Sequence, residues 1–312
     1  MTNQFLLIPS VDAFSSHTLA IKADKTVIGW GNNIAGQLSI PTGLQNVKQV
    51  AVGFEHSMAL KEDGTVVCWG SNTYGQTNVP AGLSGVIFIA SGNFHCLAVK
   101  SDGTIVGWGR NSSGQLNIPL GLNNIIQASG GVNHSVALKA DGTVVCWGSG
   151  SLGQTSPPVG LSGVVLINSG TNHNVALKED GTVVCWGHNS SGQINVPAGL
   201  TSVVQVVATL NHTVALKQDG TVAGWGSNSG TQLTIPNGAS FAQQIASGYD
   251  YTIIVKEDGT LEGWGSPSSI IKNLPADKIY IGEEESWPYN LYATSSETGK
   301  SRRSRLKLLG YI

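Results

Sequence analysis

Charge is scarce in this chain. Only 12% of its 312 residues are Asp, Glu, Lys or Arg, and the formal net charge is −2. That excludes a charged, disordered protein, and it leaves no global field to draw the chain onto nucleic acid or a membrane surface. Long apolar runs are also missing, and none approaches the roughly 20 residues that span a bilayer. The stretch from Met1 to Phe14 has no basic segment ahead of its short apolar part, Phe5–Ile8, so no signal peptide is expected. The expected setting is the cytoplasm or a virion. Helical periodicity is absent over any useful length.

Cysteine is limited to four residues. Cys68, Cys146 and Cys185 each stand just before a Trp, where other repeats have Gly29, Gly107, Gly224 and Gly263. Stacked sheets are about 10 Å apart, beyond the ~7 Å Cα limit of a disulfide. These cysteines are therefore expected to be reduced and structural, and Cys96 to be a strand core residue.

What is present is repetition. Trp30, Trp69, Trp108, Trp147, Trp186, Trp225 and Trp264 recur every 39 residues, leaving Trp287 outside the series. Ahead of each lies a hairpin pattern such as Ala59–Gly70, ALKEDGTVVCWG, with a turn at Asp63-Gly64. The units run 5–43, 44–82, 83–121, 122–160, 161–199, 200–238 and 239–277. Each reads as four short strands, A to D. In the third unit these lie around Val86–Ser91, Cys96–Lys100, Thr104–Trp108 and Gln115–Ile118. Four strands per unit, seven times over, predict an all-β, seven-bladed β-propeller (1–277) with a C-terminal extension (278–312). An open β-solenoid is the alternative.

The string S/A-G-x-x-H-x-x-A-L-K-x-D-G-x-V-x-x-W-G-x-N-x-x-G-Q resembles the regulator of chromosome condensation repeat family over residues 5–277. The short unit is similar to bacterial members, including the propeller-type β-lactamase inhibitor protein. The resemblance implies protein binding through a propeller face, and in some members nucleotide exchange on a small GTPase; it does not imply catalysis. The tail string Lys278–Pro288, KIYIGEEESWP, resembles terminal segments of phage tail and tail-fibre proteins.

Several series invite a chemical reading. His17, His56, His95, His134, His173 and His212 form one, completed by Tyr251. One blade of spacing is too far for a shared metal, whose ligands lie about 2.1 Å from the ion. Each His is instead expected to anchor its own blade by donating to a backbone carbonyl. The tryptophans read as blade-to-blade core. The lysines from Lys22 to Lys256 each precede an Asp by two, so their charges largely cancel. No nucleophile–base set, phosphate loop or metal site stands out, so no enzyme and no cofactor is expected.

Function is therefore sought where the repeat fails to repeat. B–C turns and D–A links are uniform, whereas A–B and C–D loops vary. Phe54, Glu55, Phe94, Tyr249 and Asp250 stand in A–B loops, and Tyr74 and Arg110 in C–D loops. Aromatic residues and an Arg among small polar ones resemble a protein-binding surface. These seven are the candidate partner-binding residues. In the tail, Tyr280, Trp287, Tyr289, Arg302, Arg303 and Arg305 are the candidate docking residues. The first expectation is a non-enzymatic protein-binding propeller, a structural or receptor-binding part of a phage tail or similar assembly. Its partners would be other virion proteins or a host receptor, with no nucleic acid and no membrane span. A lectin and an intracellular regulator of a small GTPase are the alternatives.

Overall fold

Each repeat forms one antiparallel sheet whose strands follow chain order, and there are seven such sheets. The computed structural model describes residues 10–237, 239–266 and 268–280. In the fourth blade the strands are Ile125–Gly130 (A), His134–Lys139 (B) and Val144–Gly148 (C). The A strands line a central channel. The B strands are buried along nearly their whole length, in the pattern expected of a strand flanked on both sides and covered by neighbouring blades. The B–C turn follows from its residues. Gly142 takes φ +78, and Asp141 accepts from Thr143 N at 3.0 Å. In blade 1, Lys25 adopts the same left-handed conformation at φ 61.

The sheets have three strands, not the expected four. The segment after Trp-Gly spends its backbone groups on successive turns. In blade 1, Gly36 N donates to Asn33 O, Ser39 N to Gly36 O, and Ile40 N to Leu38 O. Those local bonds leave no row of donors for a ladder. The segment still matters, because it presents the carbonyl of a buried glutamine to the next blade, as described below.

The ring closes through a strand built from both ends of the described chain. In blades 2 to 7 the A strand opens with a residue paired to the Lys of strand B, such as Val47 to Lys61, followed by a bulge. In blade 1 that opening position is filled by Ile279, which bridges to Lys22. Tyr280 N then donates to Ile21 O, and Ile21 N donates to Ser10 O. Ser10 follows Tyr280 in space, its hydroxyl bonded to the Tyr280 carbonyl, and the strand continues as Val11–Phe14. Lys278 to Tyr280, which the sequence assigns to the tail, thus lie in blade 1. A short helix, α1 (Ser268–Lys272), replaces the glutamine turn in blade 7. Its Ile270 packs with Trp30 of blade 1.

Candidate protein-binding face

The histidine series joins blades to one another. His17 Nε2 meets Ser57 Oγ of blade 2 at 3.1 Å, and His95 Nε2 meets Ser135 Oγ of blade 4 at 3.0 Å. His134 meets Asn174 Oδ1 at 2.8 Å, and His173 meets Thr213 Oγ1 at 3.0 Å. His56 meets Ser91 Oγ and Cys96 Sγ, and His212 meets Ser247 Oγ. The expectation that each His anchors its own blade is corrected. The ring is packed edge-on against its own A–B loop, and its free edge points at the neighbour; in blade 2 a Cβ on Gly53 would lie 2.1 Å from His56.

The tautomer follows from the chain of bonds. Ser57, Ser135 and Thr213 donate their hydroxyl protons to the carbonyls of Gln37, Gln115 and Gln193 at 2.8–2.9 Å. They must therefore accept from the imidazole, which carries its proton on Nε2. The Nδ1 atoms of His17, His56, His95, His134 and His173 are buried without a partner among the described residues. Burial accordingly pushes the imidazole pKa values down, to about 3 for His17, His56, His95 and His173 and to about 4 for His134 and His212. The same glutamine carbonyls accept from the next blade's indole, as Trp69 Nε1 does from Gln37 O at 2.9 Å and Trp147 Nε1 from Gln115 O at 2.9 Å. These series are structural.

One end of the ring carries a different kind of surface. The A–B loops are bonded to one another through their backbones. Phe54 N donates to Asn93 O, Asn93 N to Gly131 O, Val132 N to Thr171 O, Thr171 N to Thr209 O, and Tyr249 N to Ser15 O. The C–D loop begins beside the A–B loop of its own blade, Ser71 N donating to Glu55 O at 2.9 Å. Both loop sets therefore emerge at the same end.

On that end five of the seven candidate residues, from blades 7, 2 and 3, meet in one cluster. Phe54 and Phe94 pack edge to face at 5.4 Å between ring centres. Tyr249 lies 6.2 Å from Phe54, and Tyr74 lies 5.0 Å from Phe94. Arg110 caps the cluster, its guanidinium 5.2 Å from the centre of Tyr74 and 5.8 Å from that of Phe94. Tyr74 is 45% exposed, while Phe54, Phe94, Arg110 and Tyr249 are half-buried. Burial pushes the Tyr249 phenol up to about 12. Glu55 and Asp250 flank the cluster in the same loops, each holding its own C–D loop through a backbone carbonyl.

Phe14 was missed by sequence reasoning. It is buried beneath the cluster, edge to face with Tyr249 at 5.5 Å. A signal existed, since Phe14 occupies the position of Gly53, Gly92, Gly131, Gly170 and Gly248 in other repeats. Among the candidate docking residues, Tyr280 sits in blade 1 with Lys25 Nζ 6.0 Å from its ring centre. Trp287, Tyr289, Arg302, Arg303 and Arg305 lie outside the described residues. The opposite end carries the repeated ion pairs, such as Lys100–Asp102 at 2.8 Å and Lys139–Asp141 at 2.9 Å.

Comparison with known proteins gives a consistent result. A family model described as the regulator of chromosome condensation (RCC1) repeat matches residues 47–76, 86–115, 125–154, 164–193 and 203–232. No curated protein matches the chain. Similar solved structures include Prp20p from Saccharomyces cerevisiae, 20% identical with a TM-score of 0.69, over 89% of this chain and 88% of that one. The ectodomain of the Physcomitrella patens receptor kinase CR4 is 24% identical with a TM-score of 0.70, over 82% and 73%. The C-terminal domain of gp131 from bacteriophage phiKZ is 13% identical with a TM-score of 0.56, over 90% and 98%. At these identities the likeness is one of fold. The five matched segments are the A–B–C cores of blades 2 to 6, and the two unmatched blades flank the seam.

Proposed function

We propose, on the premise that the repeats of this chain belong to the regulator of chromosome condensation (RCC1) family, that the protein is a binding propeller which engages a protein partner through its A–B/C–D face. The carrying observation is the cluster of Phe54, Tyr74, Phe94 and Tyr249 under Arg110, assembled from separate blades on loops already bonded to one another. The few residues that dominate binding at protein interfaces are enriched in Trp, Tyr and Arg. Loops fixed in advance lose less conformational entropy on binding. Prp20p, of the same fold, has been described with its binding to Gsp1p and histones.

A photo-crosslinking residue at position 74 tests this, with one at position 141 on the opposite end as the control. Capture of a defined protein from the native source at 74 and not at 141 is the expected result. Equal capture at both positions, or capture only at 141, overturns the choice of face.

The setting we propose is a phage-type particle, supported by the resemblance of Lys278–Pro288 to tail-protein segments and by the shared fold of the phiKZ gp131 domain. Under this reading residues 281–312 dock the propeller onto the assembly. Co-sedimentation with particles, lost when those residues are deleted, is the expected outcome. Accelerated nucleotide release from a small GTPase would favour the regulator instead, and glycan-array binding the lectin.

A further inference from the structure

We propose that Arg110 is the seat of a single carboxylate, and that the partner segment is a peptide in which this carboxylate stands beside an aromatic or branched apolar side chain. The inference rests on the reading of the A–B/C–D face as the binding face, and it deepens that reading by naming the chemistry.

Arg110 is set apart from the seven lysines of the repeated series. The equivalent position is Ser71, Ser149, Ser227 or Ser266 in four other blades, so an arginine here is a departure from the repeat. The seven lysines of the repeated series are each paired with a carboxylate: Lys22, Lys61, Lys100, Lys139, Lys178 and Lys217 with the Asp two residues on, and Lys256 with Glu262. Arg110 has no such ion pair among the described residues. Its Nε donates to Ser112 Oγ at 2.8 Å, and its Cζ lies over the rings of Tyr74 and Phe94. Held at Nε and over the rings, the guanidinium keeps its two terminal nitrogens for an incoming acceptor. A planar fork of that kind matches a carboxylate in two parallel hydrogen bonds.

The surroundings narrow the ligand further. The four rings meet one another at interplanar angles of 65°, 40° and 56°, so much of their flat surface is spent on each other. A sugar stacks on an open flat face, whereas ring edges and the gaps between tilted rings suit an apolar side chain. Glu55 and Asp250 stand in the same loops as Phe54 and Tyr249. Those two carboxylates repel a polyanion, which disfavours nucleic acid and runs of acidic residues. One carboxylate at Arg110, with an apolar neighbour on the rings, satisfies all of these features.

The test probes the immobilised full-length protein with synthetic heptapeptides carrying Phe, Tyr or Leu beside Asp, together with their Asn twins. A second set presents the same apolar residues at a free or an amidated C-terminus, which separates a side-chain carboxylate from a terminal one. In at least one set the acid should bind about tenfold more tightly than its amide twin. Arg110→Gln should abolish that difference with an unchanged melting temperature, and Arg110→Lys should retain part of it. Equal binding of acid and amide twins overturns the proposal. So does an acid preference that survives in Arg110→Gln, tighter binding of poly-Glu or of a sialylated glycan, or failure of every peptide to bind. If position 74 still captures its partner while the twins bind equally, the carboxylate inference falls and the binding face stands.

Discussion

Along the arc from blade 1 to blade 7, a buried imidazole of each blade meets a hydroxyl, thiol or amide on the next. Across the seam from blade 7 to blade 1, the phenol of Tyr251 meets Thr18 Oγ1 at 3.0 Å and donates to His17 O. Along most of the arc, a glutamine carbonyl receives the next blade's indole. At the seam that glutamine is gone, and Trp30 Nε1 has no acceptor among the described residues. Apolar packing takes over there, through Ile270 of α1 and through Ile279. The arc is thus held by repeated polar hooks that can titrate. At the seam the imidazole is replaced by a phenol, pushed up by burial, with Ser10 bonded to Gln244 and hydrocarbon packed beside them. A repeat protein can relax its signature at one interface if that interface gains contacts from chain outside the repeat.

Acid should weaken the arc far more than the seam. The six histidines have folded pKa values of about 3 or 4, below the ordinary 6.5. A depressed histidine pKa means that the unfolded chain binds the extra protons, so stability is present above pH 6.5 and is lost as pH falls below it. At pH 5.5, one unit below, each costs about 1.4 kcal/mol, or roughly 8 kcal/mol together. Asp12 acts with the opposite sign. It faces the channel and accepts from Val52 N and Ala13 N, and burial raises its pKa to about 7. Its contribution is present at low pH and lost as pH rises through 7, so it returns about 2 kcal/mol at pH 5.5. Thermal melts between pH 7.5 and 5.5 should show a steep net loss, made steeper by Asp12→Asn. A flat profile would show that the buried imidazoles are not coupled to folding.

Tryptophan truncation should cost more on the arc than at the seam. Trp147 and Trp30 are equally buried, but only Trp147 has its indole N–H bonded. Denaturant melts should show a loss of about 3–5 kcal/mol for Trp147→Ala. Trp30→Ala should cost about 1 kcal/mol less, for want of that hydrogen bond.

The smallest expected effect is at the seam itself. Ile279 is 3% exposed and completes the first strand of blade 1. Ile279→Ala should cost about 2 kcal/mol or more. Hydrogen exchange should then rise first in strands A and B of blade 1, with the arc unchanged. Uniform exchange around the ring would mean that the seam is no separate unit of stability.

Much of this was legible in the residues because each repeat restates it. The Trp, His and Asp-Gly series fixed the blade count and gave the tryptophans and histidines their structural standing. The fourth strand was not legible. Residues 33–40 have strand-like composition around Gln37, yet their backbone bonds close locally into turns. The direction of the histidine bond was equally hidden, since periodicity is the same whether a side chain reaches its own blade or the next. Phe54, Tyr74, Phe94, Arg110 and Tyr249 were found as departures from the repeat. Phe14 was overlooked because it sits in a blade whose pattern had already decayed.

By itself the sequence determined the seven-fold all-β ring, since a strict period of hairpins with one buried tryptophan each leaves few other ways to hide those side chains from water. It also separated a uniform end from a variable one. The tertiary structure alone decided that residues more than two hundred positions apart complete a single strand, as Ile279 and Ser10 do in blade 1. Closure of a seven-fold ring already sets blade 7 two positions from blade 2, but the tertiary structure alone put the Tyr249 and Phe54 rings 6.2 Å apart. Both are consequences of closure. A linear repeat specifies what each blade presents to its neighbours, but which blades meet where the circle shuts depends on the curvature summed over all seven.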